Sequence, residues 1–267
     1  MSLWFTILGC GSSGGVPRVA EGWGACDPAN PRNRRRRCSA LVERTGAEGV
    51  TTALIDASPD LREQLLDAAV THLDGVLMTH PHADHTHGID DLRALYIKQR
   101  RRIDVYMDEA TSLIVRRSFS YIFQTPEGSS YPPIATDLRL TAGRACRIEG
   151  KGGAIEAFPF DLEHGEISAL GLRIGSLAYT PDVQRIPASS RASLEGLDMW
   201  IVDALRYRPH PSHFSLDEAL AEIAAMRPKR AVLTNLHIDL DYETLRKRLP
   251  PNVAPAYDGM RIAISEA

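Results

Sequence analysis

One string of ten residues constrains this chain more than any other. Thr79-His80-Pro81-His82-Ala83-Asp84-His85-Thr86-His87-Gly88 sets His80, His82, Asp84 and His85 within six positions, directly after the apolar run Gly75-Val76-Leu77-Met78. A short apolar run bounded by such residues reads as a buried strand. A strand ending in a tight turn can aim several imidazoles and a carboxylate at one point. That set suits zinc and other transition metals. A histidine-rich surface loop is the plainer reading, but it explains neither the aspartate set among histidines nor the wholly apolar strand leading in.

The rest of the chain is ordinary in composition. With 267 residues and 43% apolar content, it is within reach of one large domain, residues 1–267, able to bury roughly three quarters of its unfolded surface. A net charge of −3 gives no general case for nucleic acid or anionic membranes as partners. No stretch reads as a transmembrane span. The N-terminal residues lack a basic segment and a small-residue cleavage site, so they read as a first strand, and the cytoplasm is the expected compartment. Cys10, Cys26, Cys38 and Cys146 form no C-x-x-C pair and are expected to be free thiols.

Periodicity and turn residues predict strands over residues 3–8, 39–43, 52–56, 75–78, 103–106, 154–159, 172–179, 199–203, 231–234 and 261–264. Helices are predicted over 59–69, 89–99, 109–119, 216–226 and 242–249. Strands in series followed by strands mixed with helices, in two halves, suit an α/β fold of two sheets between helices.

The H-x-H-x-D-H string resembles the metal-binding motif of the metallo-β-lactamase superfamily. The resemblance implies an αββα sandwich with two divalent metal ions, zinc or manganese, iron being compatible with the same ligands. It implies a first metal on His80, His82 and a later histidine, and a second on Asp84, His85 and a further histidine, with an aspartate bridging. His164, in Phe160-Asp161-Leu162-Glu163-His164-Gly165, fits the later histidine of the first metal. Asp182, in Ala178-Tyr179-Thr180-Pro181-Asp182, fits the bridge. His237, in Val232-Leu233-Thr234-Asn235-Leu236-His237, fits the last ligand. Many relatives read L-T-H where this chain has Leu233-Thr234-Asn235. Because His237 lies one strand period further on, its side chain can point the same way. Asp56, ending the run Ala53-Leu54-Ile55, resembles the carboxylate that orients a ligand imidazole; a helix cap is the alternative.

Over nearly its whole length the chain is most similar to the phosphoribosyl 1,2-cyclic phosphate phosphodiesterase family of the carbon–phosphorus lyase pathway. That family often carries a structural zinc on a cysteine cluster. Here Cys26 and Cys38 remain without the cluster between them, so no structural zinc is expected. The resemblance implies hydrolysis of a small cyclic phosphate or nucleotide-like phosphodiester. Two metals about 3.5–4 Å apart can bridge one water, bring its pKa toward about 7 and make it the nucleophile. Asp182 would bridge the metals and Asp84 would help orient the hydroxide.

His213 is the expected acid and phosphate contact. Ser215 and Glu218 read as a capping box, which sets His213 just before a helix N-terminus, a place that favours anions. The turn Gly9-Cys10-Gly11-Ser12-Ser13-Gly14-Gly15 can bring backbone N–H groups, with Ser12 and Ser13, to a substrate anion; equally it is a tight strand-to-strand turn. Arg32 and Arg34–Arg37 form a basic run without interleaved aromatics. It reads as a solvated loop or a contact between two copies of the chain, compatible with a homodimer, before it reads as an RNA contact. Residues 124–133, rich in Pro, Gly, Ser and Tyr, read as a loop over the site. Asp258-Gly259 reads as a structural turn. The alternatives are a tRNase Z-like endoribonuclease, whose Gly- and Lys-rich arm is not evident here, and another metallo-hydrolase acting on a thioester or lactam.

Overall fold

The computed structural model describes residues 2–265; Met1, Glu266 and Ala267, the ends of the 1–267 span, lie outside it. The first sheet is built from β1 (Ser2–Gly9), β2 (Ser39–Gly46), β3 (Gly49–Ile55), β4 (Gly75–Leu77), β5 (Ile103–Met107), β6 (Ala135–Arg139) and β14 (Met260–Ile264), in the order β14-β1-β2-β3-β4-β5-β6. The second is built from β7 (Cys146–Ile148), β8 (Ile155–His164), β9 (Ile167–Ile174), β10 (Leu177–Thr180), β11 (Met199–Asp203), β12 (Arg230–Thr234) and β13 (Val253–Pro255), in the order β13-β12-β11-β10-β9-β8-β7. Each sheet is antiparallel in one half and parallel in the other, changing at β3 and at β10.

Side-chain alternation along the strands makes three apolar layers. Phe5, Ile7, Ala40, Val42, Ala53 and Ile55 face Leu170, Leu172, Tyr179 and Ile201 between the sheets. The alternate residues Leu41, Leu54, Val76 and Val105 pack outward on α1 (Leu61–Asp67), α3 (Leu92–Gln99), α4 (Glu109–Ser118) and α5 (Ser120–Phe123). On the other side Trp200, Val202 and Leu233 pack on α6 (Leu216–Met226) and α7 (Tyr242–Arg248). Helix, sheet, sheet, helix is the αββα sandwich expected from the sequence.

Three expectations are corrected. Residues 172–179 are not one strand: they hold the end of β9 and most of β10, joined by a hairpin at Gly175, whose φ of 54° suits a residue without a Cβ. β8 runs on to His164 instead of ending at Pro159. The short edge strands β6, β7 and β13 went unread, because three to five residues with one buried face carry little periodicity.

The basic run is not a solvated loop from end to end. Arg35 is 1% exposed and donates to the carbonyls of Leu240 (2.7 Å) and His237 (3.3 Å). Arg36 pairs with Asp258 and Asp67, and Arg37 with Asp60. The guanidinium of Arg32 lies over the rings of Tyr242 and Tyr257. Arg32, Arg35 and Arg36 tie the segment after β1 to the chain after β12, and Arg36 and Arg37 tie it to α1. Asp258 accepts from Cys10 N and Arg36 N, so its turn is structural. All four cysteines are buried and free.

Candidate metal centre

The C-terminal ends of strands in both sheets, most of them in the parallel halves, deliver polar side chains to one place. Asp56 follows β3, His80 follows β4, His164 ends β8, Asp182 follows β10, Asp203 ends β11 and Asn235 follows β12. A rigid sheet end is a good mount for chemistry because the strand fixes where the next residues go. The one-turn helix α2 (Ala83–Thr86) supplies Asp84 and His85. It is pinned by Ala57 N to the His85 carbonyl and Gly88 N to the Ala57 carbonyl, both 2.8 Å. A Cβ at Gly88 would collide with the Ser58 carbonyl, so only glycine lets α2 lie against the turn after β3.

Three groups of ligand atoms converge, each spanning no more than 4.8 Å: His80, His82 and His164; His80, His85 and Asp182; His164, Asp182 and His213. His82 Nδ1 lies 3.1 Å from both His80 Nε2 and His164 Nε2. His164 Nδ1 donates to the Ser212 carbonyl at 2.6 Å, so its Nε2 carries a lone pair. Burial holds His80 and His164 below the usual imidazole range and therefore neutral. Lone pairs facing one another at this range call for a cation between them.

The second half of the cluster makes the same demand. His85 Nδ1 lies 2.7 Å from Asp56 Oδ2, which also accepts from Thr79 Oγ1 at 2.7 Å. Thr79 Oγ1 in turn lies 3.0 Å from His80 Nδ1. One buried carboxylate thus orients His85 directly and His80 through a hydroxyl. With Nδ1–H given to Asp56, His85 Nε2 is left facing Asp182 Oδ1 at 3.1 Å and Asp84 Oδ2 at 3.5 Å. His85 Nε2 and Asp182 Oδ1 are buried and have no hydrogen-bond partner. Burial opposes a charge on His85, but Asp182, Asp84 and Asp56 outweigh it and raise its affinity for a proton well above the usual range. Burial likewise opposes a charge on Asp182, yet His85, His80 and His213 hold its carboxyl well below the usual range. The residues fit metal ions. His82 is exposed while His80, His85 and His164 are buried, so the cluster opens to solvent on the His82 side.

His213 sits against this cluster, its ring 4.6 Å from that of His164. Its Nδ1 lies 2.8 Å from Asp203 Oδ2 and 3.7 Å from Asp182 Oδ2. Burial works against the imidazolium, but Asp203, then Asp182 and Asp84, push His213 up to about 9. Burial lifts the Asp203 carboxyl to about 7 against the pull of His213. The pair therefore keeps a proton on the imidazole side at neutral pH. Ser215 and Glu218 form a reciprocal capping box at the start of α6; Phe214 N donates to the Val183 carbonyl, which fixes the loop that carries His213. Sequence reasoning missed Asp203. The signal was present: a lone aspartate ending the fully apolar run Met199-Trp200-Ile201-Val202, the same pattern that drew attention to Asp56.

His237 is not brought into any of the three groups. Its Nε2 lies 2.6 Å from Arg18 Nη1 and its Nδ1 3.1 Å from Asp239 Oδ1. A guanidinium only donates, so it occupies the lone pair that a metal would need. Asn235, in the left-handed region with φ 60°, lies closer to the cluster: its Nδ2 is 3.1 Å from His213 Nδ1. Ser12 is buried with an unpartnered hydroxyl, and Ser13 is exposed. Their turn lies against the chain after β12, with Ser12 N donating to the Leu236 carbonyl and Leu236 N to the Cys10 carbonyl. His210 packs its ring 5.1 Å from that of His213. Pro126, Ser129, Tyr131 and Pro132 of the 124–133 loop line a surface cavity of about 390 Å³ with Arg93 of α3 and Tyr121 of α5, none of them a residue of the cluster.

Residues 51–238 match the β-lactamase superfamily domain. A crystal structure of a diphosphatase from the PhnP family is 33% identical, covers 99% of this chain and 98% of its own, and superposes with a TM-score of 0.88. An octanoyltransferase of Porphyromonas gingivalis is 32% identical over 263 residues; the match takes in 97% of this chain but 51% of that protein, so the chain spans about half of that relative. The zinc-bound PqqB of Methylobacterium extorquens shares the fold at 17% identity, with a TM-score of 0.74 and coverage of 97% and 99%. A domain match across most of the chain, and a structural relative one-third identical along nearly all of it, make the chain a hydrolase of the β-lactamase superfamily that belongs with the PhnP family.

Proposed function

We propose that this protein hydrolyses a small phosphodiester, a cyclic phosphate or a nucleotide-like diester, with the help of two divalent metal ions, zinc or manganese. The observation that carries the reading is the pair of buried Asp203 and half-buried His213 set directly against the candidate metal cluster. A thioester sheds a thiolate, a good leaving group that departs without a proton. A phosphodiester sheds an alkoxide, a poor leaving group that needs a proton as it departs. The kinship with a PhnP-family diphosphatase supports phosphoryl chemistry.

When bound, the metals supply Lewis acidity and a water of lowered pKa. His80, His82, His164 and Asp182 would hold one ion, and Asp84, His85 and Asp182 the other. Asp56 and the Ser212 carbonyl hold the imidazoles with their lone pairs inward. Asp84, half-buried at the rim, is placed to orient the attacking water. His213 donates its proton to the leaving oxygen, and Asp203 holds the imidazole for that task and stabilises its charge. The turn bearing Ser12 and Ser13, beside the chain after β12, offers the substrate's phosphate the unpartnered Ser12 hydroxyl and the exposed Ser13, its Cys10, Gly11, Ser12 and Gly15 N–H groups being already bonded.

The test is a screen of pure, metal-defined protein against cyclic phosphates, bis-p-nitrophenyl phosphate, short RNA and nitrocefin. Turnover of diesters at the highest kcat/KM is expected. A higher kcat/KM for nitrocefin or for RNA than for any small diester overturns the reading.

A further inference from the structure

The loop that carries His213 carries a second histidine. His210 packs its ring 5.1 Å from that of His213, tilted by 50°, and belongs to none of the three groups of ligand atoms. Its Nδ1 lies 3.3 Å from Ser212 N and 3.1 Å from Ser212 Oγ. A backbone N–H only donates, so Nδ1 is the accepting nitrogen and the proton of the neutral ring stands on Nε2. Burial, then the neighbouring His213 and Arg206, hold His210 below the usual imidazole range, in keeping with a neutral ring. Nε2 is on the side of the ring away from Ser212. Among the described residues no group bonds to it, and the atom is not buried. His210 thus offers one free N–H of fixed tautomer from a half-buried ring.

The loop holds that N–H still. Pro209 and Pro211 flank His210 with φ fixed by their own rings. Arg206 donates to the carbonyls of Arg208 at 3.2 Å and Pro209 at 3.0 Å. On the other side His164 Nδ1 binds the Ser212 carbonyl. Gly165 makes room for Ser212, since a Cβ there would lie 2.8 Å from Ser212 Cβ. A donor already held in place loses little freedom when a ligand arrives.

Its position decides which part of a substrate it meets. The attacking water belongs with the metals and Asp84. His213 Nδ1 is taken by Asp203, so the proton for the leaving oxygen goes from Nε2. His210, alongside that ring, therefore stands by the leaving group and not by the nucleophile. We propose that His210 is a specificity-determining residue: its Nε2–H donates to a hydroxyl beside the leaving oxygen, so that diesters of polyhydroxy alcohols are preferred to those of plain alkyl alcohols. The inference rests on the phosphodiesterase reading above.

Two cyclic diesters that differ in one hydroxyl test it, glycerol 1,2-cyclic phosphate and propane-1,2-diol cyclic phosphate. The parent should favour the glycerol diester by roughly two- to tenfold in kcat/KM, the factor that one neutral hydrogen bond contributes. His210→Ala should bring the ratio to about one, with the loss falling on the glycerol diester and the metal content kept. His210→Gln, which retains an N–H donor, should keep part of the preference. A parent that does not distinguish the two diesters, or a preference that survives in His210→Ala, overturns the proposal. So does an equal loss on both diesters in His210→Ala, which would make the residue a support for its loop. If the parent cleaves neither cyclic diester, bis-p-nitrophenyl phosphate separates the two ideas. Its turnover overturns this proposal alone, and no turnover removes the phosphodiesterase reading as well.

Discussion

Individual side chains here do separable jobs, and two of them divide cleanly by substrate. His213 is held by Asp203 at the nitrogen that also faces Asp182, so that nitrogen is committed to a proton and not to a metal. His213→Ala should therefore keep the full metal content. It should slow an alkyl or ribosyl diester by about 10²–10⁴-fold, the usual contribution of a general acid. Bis-p-nitrophenyl phosphate, whose leaving group departs readily without a proton, should lose far less. Asp203→Asn should show the same split in weaker form. Equal loss on both substrates would reduce His213 to a phosphate contact, and loss of metal would make it a ligand. The motif residues were legible because His80, His82, Asp84 and His85 are crowded in sequence. Asp203 was harder to see because its partner, ten residues on, lies across a loop whose path no local pattern states.

At the scale of elements, the start of α6 was legible, while the end of β8 and the break between β9 and β10 were not. The α6 capping box stands where Ser215 and Glu218 predicted it. The start of α7 shows what a cap adds across distance. Asp241 accepts from Thr244 N at 2.9 Å and also from Asn33 Nδ2 at 2.7 Å and Asp27 N at 3.2 Å, so it ties the loop before Arg35 to the helix. Burial would raise its carboxyl, but these hydrogen bonds lower it to about 2. A folded-state value below the unfolded value of about 3.9 means that this stability is present above about pH 4 and is lost as pH falls through about 2. Asp241→Ala should cost about 1 kcal/mol at pH 7, the size of an N-cap. Urea unfolding at descending pH should show the gap to the parent closing between about pH 4 and pH 2. A gap that persists at pH 2 would assign the loss to packing.

The whole molecule depends on the layer between its sheets. Phe5 is fully buried there, its ring 5.3 Å from that of Tyr179 on the opposite sheet. The candidate metal ligands come from both sheets: His80 and His85 from the first, His164 and Asp182 from the second. Phe5→Ala should lower unfolding free energy by about 3–5 kcal/mol. Because the ligands must be held together across that layer, metal affinity should fall as well, although Phe5 touches no ligand. A large stability loss with unchanged metal affinity would show that the centre is held by its loops alone. Among the described residues, no helix is long and apolar enough to cross a membrane.

By itself the sequence determined the kind of fold and most of the candidate ligand types. Strand alternation, apolar runs ending in single polar residues, and a dense histidine motif are local patterns, and local patterns are set by side chains a few positions apart. Tertiary structure decided the rest. It buried Arg35 in a run that reads as a surface loop, broke residues 172–179 into a hairpin, joined Asp203 to His213, and gave His237 to Arg18 while Asn235 took the place beside the cluster. Apart from the hairpin, each of these turns on which distant segment arrives at a strand end, and for the two histidines on whether a cation or a carboxylate reaches a ring nitrogen first. A two-residue period says which way a side chain can point; it cannot say that a guanidinium from residue 18 already occupies that direction.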